Sequence, residues 1–345
     1  MTEQPQHRPV AGPAGEPSTA DWSARAAASW KLLTDSCVTG RGRGLRISEL
    51  TARRRQAAWP LSQVLWCASA VEATGVAPDT PDTETLWQAL AWFRSGDAYL
   101  DNRPRGRRYY DDNAWIGLVA AQQGLATGEP RWWSRAATVA MFVERGSEPN
   151  GGVRWVEGGD TINACSTGAA GLLLAVVAEH ASGLAPGVRQ RFRAKAQAAH
   201  EFLTTALLRS DGLIADHIRG DGSVEPSVWA YNQGLAARLS HLVGDPGTAE
   251  RLIDAGRRGL PPDALDRQPA VFSCIWWRTL LALHAPSAAA GAVDFLEHAW
   301  KSGRDSAGWF TEVTRYDEGV LIDHASITGL MAAAGAGEDA ANWLL

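Results

Sequence analysis

Two neighbouring carboxylates, Asp111 and Asp112, are the strongest candidates for chemistry in this 345-residue sequence. They stand at the predicted start of a helix, where adjacent side chains can bring their carboxyl groups about 5–6 Å apart. That separation suits glycoside hydrolysis with retention, in which one carboxylate attacks and the other acts as acid and then as base. Because like charges this close resist joint ionisation, we expect one pKa to be raised while the helix terminus keeps the other group anionic.

A purely structural role for this pair is the alternative, since acidic residues in a first turn cap a helix and suit its dipole. The neighbouring side chains favour chemistry instead. Tyr110, Asn113 and Trp115 surround the pair in the stretch YYDDNAW at 109–115, and aromatic and amide side chains commonly line sugar sites. Asp111 and Asp112 are therefore the predicted catalytic residues.

The elements that must position this pair are predicted to be helices. Apolar residues recur at helical spacing from Trp22 onward, and convincing runs of alternating β-branched residues are absent. We predict an all-α chain of about twelve helices, one of which covers residues 83–100. Every second helix follows a long polar or Gly-rich connection, and these helices are expected to begin near Trp59, Asp111, Thr161, Trp229, Phe272 and Asp323.

About six helical hairpins result, and such an array can stack as an open solenoid or close into a ring. We predict closure into an (α/α)6 toroid, because the repeats vary in length and obvious capping units are lacking. In a closed ring the inner helices are parallel, so their N-termini gather at one mouth. Asp111 and Asp112 would stand there, and the long connections would line that mouth.

The boundaries of the chain suggest one domain. Residues 1–20 are polar and rich in Pro and Gly, which predicts a disordered tail, and residues 21–345 are expected to form a single glycoside hydrolase domain. The N-terminus lacks a secretory pattern, and the longest apolar run, at 169–178, is about half the roughly 20 residues needed to cross a bilayer. We expect no membrane insertion and a cytoplasmic location, and the sequence is compatible with a monomer.

Composition argues against several classes of partner. Lys and Arg total 33 against 38 Asp and Glu, giving a net charge of −5 with no basic block, so nucleic acid is not an expected partner. Eight His residues show no HxH or HExxH spacing, and we predict no metal site and no cofactor. The four cysteines are widely separated and are interpreted as small buried residues in a reducing compartment: Cys37, Cys67, Cys165 and Cys274.

Tryptophan is unusually frequent, with 16 residues. Those near the predicted inner-helix starts are candidates for stacking on a pyranose ring, and burial in the core is the equally open alternative. They are Trp59, Trp115, Trp155, Trp229, Trp276 and Trp309.

Three motifs occur in the order and spacing seen in glycoside hydrolase family 76. They are YYDDNAW at 109–115, GGVRW at 151–155 followed by NACS at 163–166, and WAYNQG at 229–234. The sequence resembles that family over about residues 25–335. The resemblance implies an (α/α)6 fold and α-1,6-mannanase activity, with Asp111 as the nucleophile and Asp112 as the acid/base of a retaining mechanism.

The same motifs supply further substrate-binding candidates, which are Asn163, Tyr231, Asn232 and Gln233. The resemblance implies that Asn232 and Gln233 border the sugar subsites. Independently, an amide suits sugar hydroxyls because it can both donate and accept. An amide at a helix start can instead bond to its own backbone, and that alternative stays open.

The sequence departs from the family pattern at Ile116 and Arg154, where aromatic or polar residues are more usual, and it lacks a Lys-Gly pair after Phe272. A lost stacking ring would change subsite preference without touching the acid pair. His217 and the pair Asp323-His324 are as compatible with capping as with substrate contact, and we do not assign them to catalysis.

The leading hypothesis is a retaining, endo-acting α-1,6-mannosidase that acts on mannan or oligomannosides. A transglycosylase would share its glycosyl-enzyme intermediate. A sugar isomerase or epimerase on the same toroid would need His bases, and the scattered His residues argue against one. A non-catalytic glycan-binding protein that keeps the groove is the third class.

Overall fold

The computed structural model describes residues 19–50, 55–313, 319–342 and 344–345. The helices in this part of the chain are α1 Thr19–Cys37, α2 Ala58–Thr74, α3 Thr83–Trp87, α4 Tyr110–Thr127, α5 Pro130–Val143, α6 Ala164–His180, α7 Pro186–Thr205, α8 Ala230–Leu242, α9 Pro246–Gly259, α10 Pro262–Leu265, α11 Ala270–Ala282, α12 Ala288–Ser302 and α13 Val320–Ala336. The short strands are β1 Val38–Thr39, β2 Arg46–Ile47, β3 Arg94–Ser95, β4 Ala98–Tyr99, β5 Ile162–Asn163, β6 His217–Ile218 and β7 Val224–Glu225.

Six helices form an inner ring, and they are α2, α4, α6, α8, α11 and α13. Each packs against the next, and α13 packs against α2 to close the ring. Nearly all of their residues are buried, as expected for helices that are surrounded on every side. The predicted all-α class and the closed ring are confirmed.

The outer layer consists of amphipathic helices, each of which buries one face against the ring. Helices α5, α7, α9 and α12 pack on the inner helices that precede them, α3 packs on α2, and α1 packs on α13. Polar side chains cover their other faces, so the outer helices form the solvent-exposed surface of the (α/α)6 toroid.

Small residues let the inner helices approach each other closely. A Cβ added at Gly117 on α4 would lie 2.4 Å from Cδ2 of Leu173 on α6, and one added at Gly329 on α13 would lie 2.2 Å from Cζ3 of Trp66 on α2. Both distances are far below van der Waals contact. These glycines therefore set the spacing of the ring through their lack of a side chain.

The inner helices begin at Ala58, Tyr110, Ala164, Ala230, Ala270 and Val320, each within a few residues of its predicted start. The ring order of parallel inner helices brings these six N-termini to one mouth.

One predicted element is wrong. A helix was expected over 83–100, yet α3 ends at Trp87, a 3₁₀ turn covers Gln88–Trp92, and β3 and β4 form a hairpin. Gly96 has φ of +65° in the turn of that hairpin, a conformation that ends helices and favours glycine. The amide oxygen of Asn113 accepts from the backbone N–H of Tyr99 at 2.8 Å and holds the extended segment against α4.

Two features concern the ends of the chain. Most of the predicted tail, residues 1–18, lies outside the described residues, and α1 begins at Thr19. Among the described residues, one stretch, Val320–Asn342, is long and apolar enough to span a membrane, but 72% of its most apolar part is buried inside the protein. That burial is what a central helix of the ring requires.

Candidate active site

A cleft of about 750 Å³ opens at the mouth where the inner helices begin. Its lining combines carboxylates with a large aromatic surface. The lining residues are Ala57, Trp59, Asp101, Tyr109, Asp111, Asp112, Trp115, Trp155, Thr161, Asn163, Cys165, Asp216, His217, Trp229, Tyr231, Arg267, Pro269 and Phe272. Both predicted catalytic residues therefore face the cleft.

Asp111 lies in the first turn of α4 and accepts hydrogen bonds from three donors. The backbone N–H of Asp112 donates to Oδ1 at 3.0 Å. The indole N–H of Trp155 and the thiol of Cys165 donate to Oδ2 at 2.9 and 3.3 Å. Every one of these contacts uses the carboxyl group as an acceptor, which is the role of an ionised carboxylate.

Burial and hydrogen bonding act on this carboxyl group in opposite directions. Burial disfavours the charged form and raises the pKa of Asp111 to about 6, while the donors Cys165, Asp112 and Trp155 lower it. The result is a group that is ionised at neutral pH and titrates within a range where enzymes work. The helix N-terminus adds a field that favours the anion.

Asp112 is half-buried beside Asp111 and lines the same cleft. Tyr109, the residue before α4, lies next to both acids, and burial is the main cause that raises the pKa of its hydroxyl, with Asp101 and the two acids adding to it. The pair is thus presented to the cleft with a protonated phenol at its edge. The predicted separation of about 5–6 Å between the two carboxyl groups stays a prediction.

A short extended connection places Trp155 beside Asp111. The backbone N–H of Tyr110 donates to the carbonyl of Trp155 at 2.9 Å, and the N–H of Trp155 donates to the carbonyl of Thr161 at 3.0 Å. Arg108 and Glu157 form a salt bridge at 2.5 Å over the same segment. Trp155 remains 41% exposed, so its indole holds the carboxylate with one edge and presents a ring to the cleft.

The small sheet β5-β6-β7 brings a second polar group to the cleft. Asn163 pairs with His217 across β5 and β6, and Asp216 precedes β6. Asp216 Oδ2 lies 2.9 Å from His217 Nδ1, and Asp216 Oδ1 accepts from Asn232 at 3.4 Å. Among the described residues, the buried Oδ1 of Asn163 has no hydrogen-bond partner, so it is available to a ligand hydroxyl.

Aromatic rings form two walls. Trp59 and Trp115 lie with ring centroids 5.5 Å apart on one side. On the other, Tyr231 stacks on Phe272 at 4.1 Å. Trp229 meets the same phenylalanine edge-on at 5.6 Å. Six of the predicted substrate-binding residues line the cleft, and they are Trp59, Trp115, Trp155, Asn163, Trp229 and Tyr231.

Three of the predicted substrate-binding residues do not line the cleft. Tyr110 points away from the cleft, since its ring stacks on Phe142 at 4.9 Å and packs against Gly146. Gln233 is fully buried, and its amide exchanges two hydrogen bonds with the backbone of Ile214. Asn232 is also buried and lies behind Asp216, so it positions that carboxylate from outside the cleft.

Other candidates lie in the core. Trp276 and Trp309 are buried and do not line the cleft. Two of the three departures from the family pattern are single substituted residues, and one of these, Ile116, is fully buried. The other, Arg154, forms an ion pair with Glu148 at 2.5 Å outside the cleft. Neither departure removes a ring from the cleft.

The structure also adds cleft residues that the sequence did not assign to the site, and the main ones are Tyr109, Cys165, Asp216, His217 and Phe272. Asp216 and His217 lie in a long connection before an inner helix, which is the signal that could have found them. Cys165 lies inside the NACS motif, but sequence alone does not distinguish it from the other small buried cysteines.

Among the described residues, no group of three or more His, Cys, Asp or Glu side chains is arranged to hold a metal ion. Four cleft carboxylates, which belong to Asp101, Asp111, Asp112 and Asp216, face one guanidinium, that of Arg267. This excess of negative charge suits neutral ligands better than anionic ones.

Comparison with known proteins places this chain in a family. The model of glycosyl hydrolase family 76 matches residues 54–240. No curated protein matches the chain.

Solved structures give the same picture of the fold. A family 76 glycoside hydrolase from a bovine Bacteroides thetaiotaomicron strain superposes with a TM-score of 0.77 at 18% identity, covering 92% of this chain and 78% of the other. A family 76 mannosidase from Bacteroides thetaiotaomicron VPI-5482 gives 0.75 at 17% identity, covering 92% and 98%.

A third structure holds a ligand. It is an inactive variant of an α-1,6-mannanase from Salegentibacter sp. HEL1_6, in which two neighbouring aspartates are replaced by asparagine, in complex with α-1,6-mannotriose. The TM-score is 0.75 at 16% identity, with 91% of this chain and 99% of that chain covered.

Proposed function

The chain belongs to glycosyl hydrolase family 76, and we propose that it is an endo-acting enzyme that hydrolyses α-1,6-mannosidic linkages in mannan or oligomannosides with retention of configuration. The observation that carries this proposal is the carboxylate of Asp111, which accepts from three donors beside Asp112 in an open cleft. Two adjacent acids that face an open cleft are what a retaining glycosidase needs.

Asp111 suits the part of nucleophile. A group that must donate a proton needs an acceptor, whereas all three partners of Asp111 are donors. They orient the carboxylate and stabilise its charge, and the N-terminus of α4 does the same. Asp112, which is half-buried beside it and lines the same cleft, is then the group that carries the proton.

The reaction then follows in two balanced steps. Asp111 attacks the anomeric carbon while the glycosidic C–O bond breaks, and Asp112 gives its proton to the departing oxygen. Asp112, now a carboxylate, takes a proton from water as that water attacks the same carbon. The bond to Asp111 breaks, and both acids return to their starting forms.

The cleft lining supports a neutral saccharide as substrate. Tryptophan and tyrosine rings on two walls offer faces for the apolar side of a pyranose. The buried Oδ1 of Asn163, which has no partner among the described residues, is an acceptor for a sugar hydroxyl. The α-1,6 linkage is proposed because the related Salegentibacter mannanase holds α-1,6-mannotriose once its own pair of aspartates is replaced.

Incubation with linear α-1,6-mannan and with α-1,2- and α-1,3-linked mannosides tests the proposal. We expect new reducing ends from the α-1,6 polymer alone. Oligosaccharides of several lengths should appear early in the reaction. Loss of those ends in Asp111→Asn identifies the pair. Binding without turnover would indicate a glycan-binding protein, products longer than the substrate a transglycosylase, and interconversion of free monosaccharides an epimerase.

A further inference from the structure

One cleft residue, Cys165, has no part in the two steps above although it touches the proposed nucleophile. It lies in the first turn of α6, and its Sγ is 3.3 Å from Oδ2 of Asp111. It is 4% exposed and lines the cleft. The other described cysteines, Cys37, Cys67 and Cys274, are also buried but lie outside the cleft.

We propose that Cys165 is a positioning residue for Asp111, and that its S–H group holds Oδ2 in place and stabilises the negative charge of that carboxylate. This inference rests on the proposed function, because the part of Asp111 as nucleophile gives the contact its purpose. This role differs from packing alone, because an apolar side chain of the same size would fill the space without stabilising the charge of Asp111.

The direction of this hydrogen bond follows from the surroundings of the thiol. Burial, with Asp111 and Asp216 nearby, raises the pKa of the Cys165 thiol well above its usual range. The group therefore keeps its hydrogen at any pH at which an enzyme of this kind works. A protonated thiol next to a carboxylate can only donate to it.

Two hydroxyl groups lie next to the thiol. The hydroxyl of Tyr231 interacts with the sulfur from the α8 side, and the Ser166 hydroxyl lies 3.9 Å away. On the carboxylate, the indole N–H of Trp155 takes a second position on the same oxygen. Oδ2 is thus held from two sides by α6 and by the connection that carries Trp155, which restricts the carboxylate to one orientation.

Removal of this donor should make Asp111 harder to ionise. The pKa of Asp111, about 6, places the expected acidic limb of kcat/KM of the parent enzyme near pH 6. In Cys165→Ala we expect this limb to move up by about 0.5–1 pH unit. Activity then falls several-fold at pH 6 and little at pH 8, where Asp111 is ionised in both proteins. Cys165→Ser keeps a donor at the same place and should restore the limb to near its parent position.

Cys67→Ala is the matched control. Cys67 is fully buried on the inner helix α2 and does not line the cleft, so its truncation reproduces the loss of a buried sulfur without touching Asp111. The limb of this variant should stay where the parent has it. The titratable groups around the contact are Asp112, Tyr109, Tyr231 and Asp216, and all of them are unchanged in these variants.

A second readout is independent of activity. Carbon-13 labelling of aspartate carboxyls, with the Asp111 signal assigned by its loss in Asp111→Asn, reports the titration of this residue directly. We expect the same upward shift in Cys165→Ala and none in Cys67→Ala. If the enzyme cleaves no α-1,6-mannan, the proposed function fails while this titration still decides the role of Cys165.

An unchanged Asp111 titration in Cys165→Ala would overturn the inference, and so would equal shifts in the Cys165 and Cys67 variants. Should Cys165→Ala fail to fold, Cys165→Thr and Cys165→Val provide an isosteric pair that differs in one hydroxyl. A shift in the Val variant alone supports the hydrogen bond, and equal behaviour of the two contradicts it.

Discussion

Two inner helices begin with an acidic residue in a similar place, and only one of them opens to the cleft. At the start of α4, Asp111 and Asp112 line the cleft. At the start of α13, Asp323 and His324 are fully buried. Asp323 accepts from the backbone N–H of Val271 at 2.8 Å, and His324 Nε2 lies 3.0 Å from the carbonyl of Ser29.

The difference teaches that an acid at an inner-helix start does chemistry only where the preceding connection leaves it open. Asp323 fastens α13 to the start of α11, and the ring of His324 lies 4.5 Å from that of Trp309. The sequence leaves capping and substrate contact open for this pair, and neither residue lines the cleft. Aspartate therefore stabilises the packing of helices at the start of α13, whereas it faces the cleft at the start of α4.

The largest effects should come from the cleft pair. Asp111→Asn is expected to lower kcat by about 10⁴-fold or more, since it removes the nucleophile. Asp112→Asn should cost about 10²–10⁴-fold, because only proton transfer is lost. Measured kcat values on α-1,6-mannan decide this, and an Asp111→Asn enzyme with near-parent turnover would contradict the assignment.

Trp155→Phe should have a smaller effect on activity. It keeps an aromatic face but removes the indole N–H that donates to Asp111 at 2.9 Å. Hydrogen bonds to charged groups contribute about 1.5–3 kcal/mol, so we expect roughly a tenfold or greater loss of kcat/KM at pH 6. The loss should shrink at higher pH. A loss that is the same at every pH would assign Trp155 to sugar stacking alone.

Asp323→Ala should lower the stability of the fold and leave activity nearly unchanged, which is the reverse of what we expect for the cleft variants. It leaves the N–H of Val271 without its acceptor, which should lower the free energy of unfolding by about 1–3 kcal/mol. Once folded, the variant should keep kcat within about threefold of the parent, because Asp323 does not reach the cleft. Denaturant unfolding with kinetics on the same samples measures both. A loss of kcat comparable to that of Asp112→Asn would break the comparison.

The smallest expected effects are on the pH dependence of stability. Asp111 at the start of α4 and His324 at the start of α13 should change stability in opposite directions as pH rises. Burial raises the pKa of Asp111 to about 6. Between about pH 4 and 6 the folded chain binds more protons at this residue than the unfolded chain does, so stability is lost as pH rises. Burial lowers the pKa of His324 to about 4. Its contribution is present above about pH 6.5 and is lost as pH falls.

Thermal unfolding at pH 4 and pH 7 checks both signs. Asp111→Asn should raise Tm at pH 7 by about 2–4 °C, with the gain fading near pH 4. His324→Gln should lower Tm more at pH 7 than at pH 4. A gain for Asp111→Asn that is equal at both values would show that burial of its charge does not destabilise the fold.

Much of the ring could be predicted from sequence because its signals are local. Helical spacing, Gly and Pro breaks and the polar connections fixed the inner-helix starts to within a few residues. Asp111, Asp112 and Trp115 could be found from one such start, because residues near the N-terminus of an inner helix lie at the mouth of the ring.

What sequence could not give depends on side-chain direction and on long-range pairing. Tyr109 and Tyr110 are neighbours, but the extended backbone of Tyr109 (φ −85°, ψ 138°) precedes the helix and faces the cleft, while Tyr110 faces the outer layer. Asp216 reaches the cleft through the pairing of His217 with Asn163, which are far apart in the chain. Gln233 shows the reverse case, a motif residue that holds a loop.

The anomeric form of the first product tests the part of Asp111 as nucleophile most directly. Proton NMR of an α-1,6-linked oligomannoside, recorded during the first minutes of hydrolysis before mutarotation, distinguishes the two anomers of the newly released end. We predict the α-anomer, because two displacements at the same carbon restore its configuration. Release of the β-anomer would show that water attacks directly and that Asp111 forms no bond to the sugar.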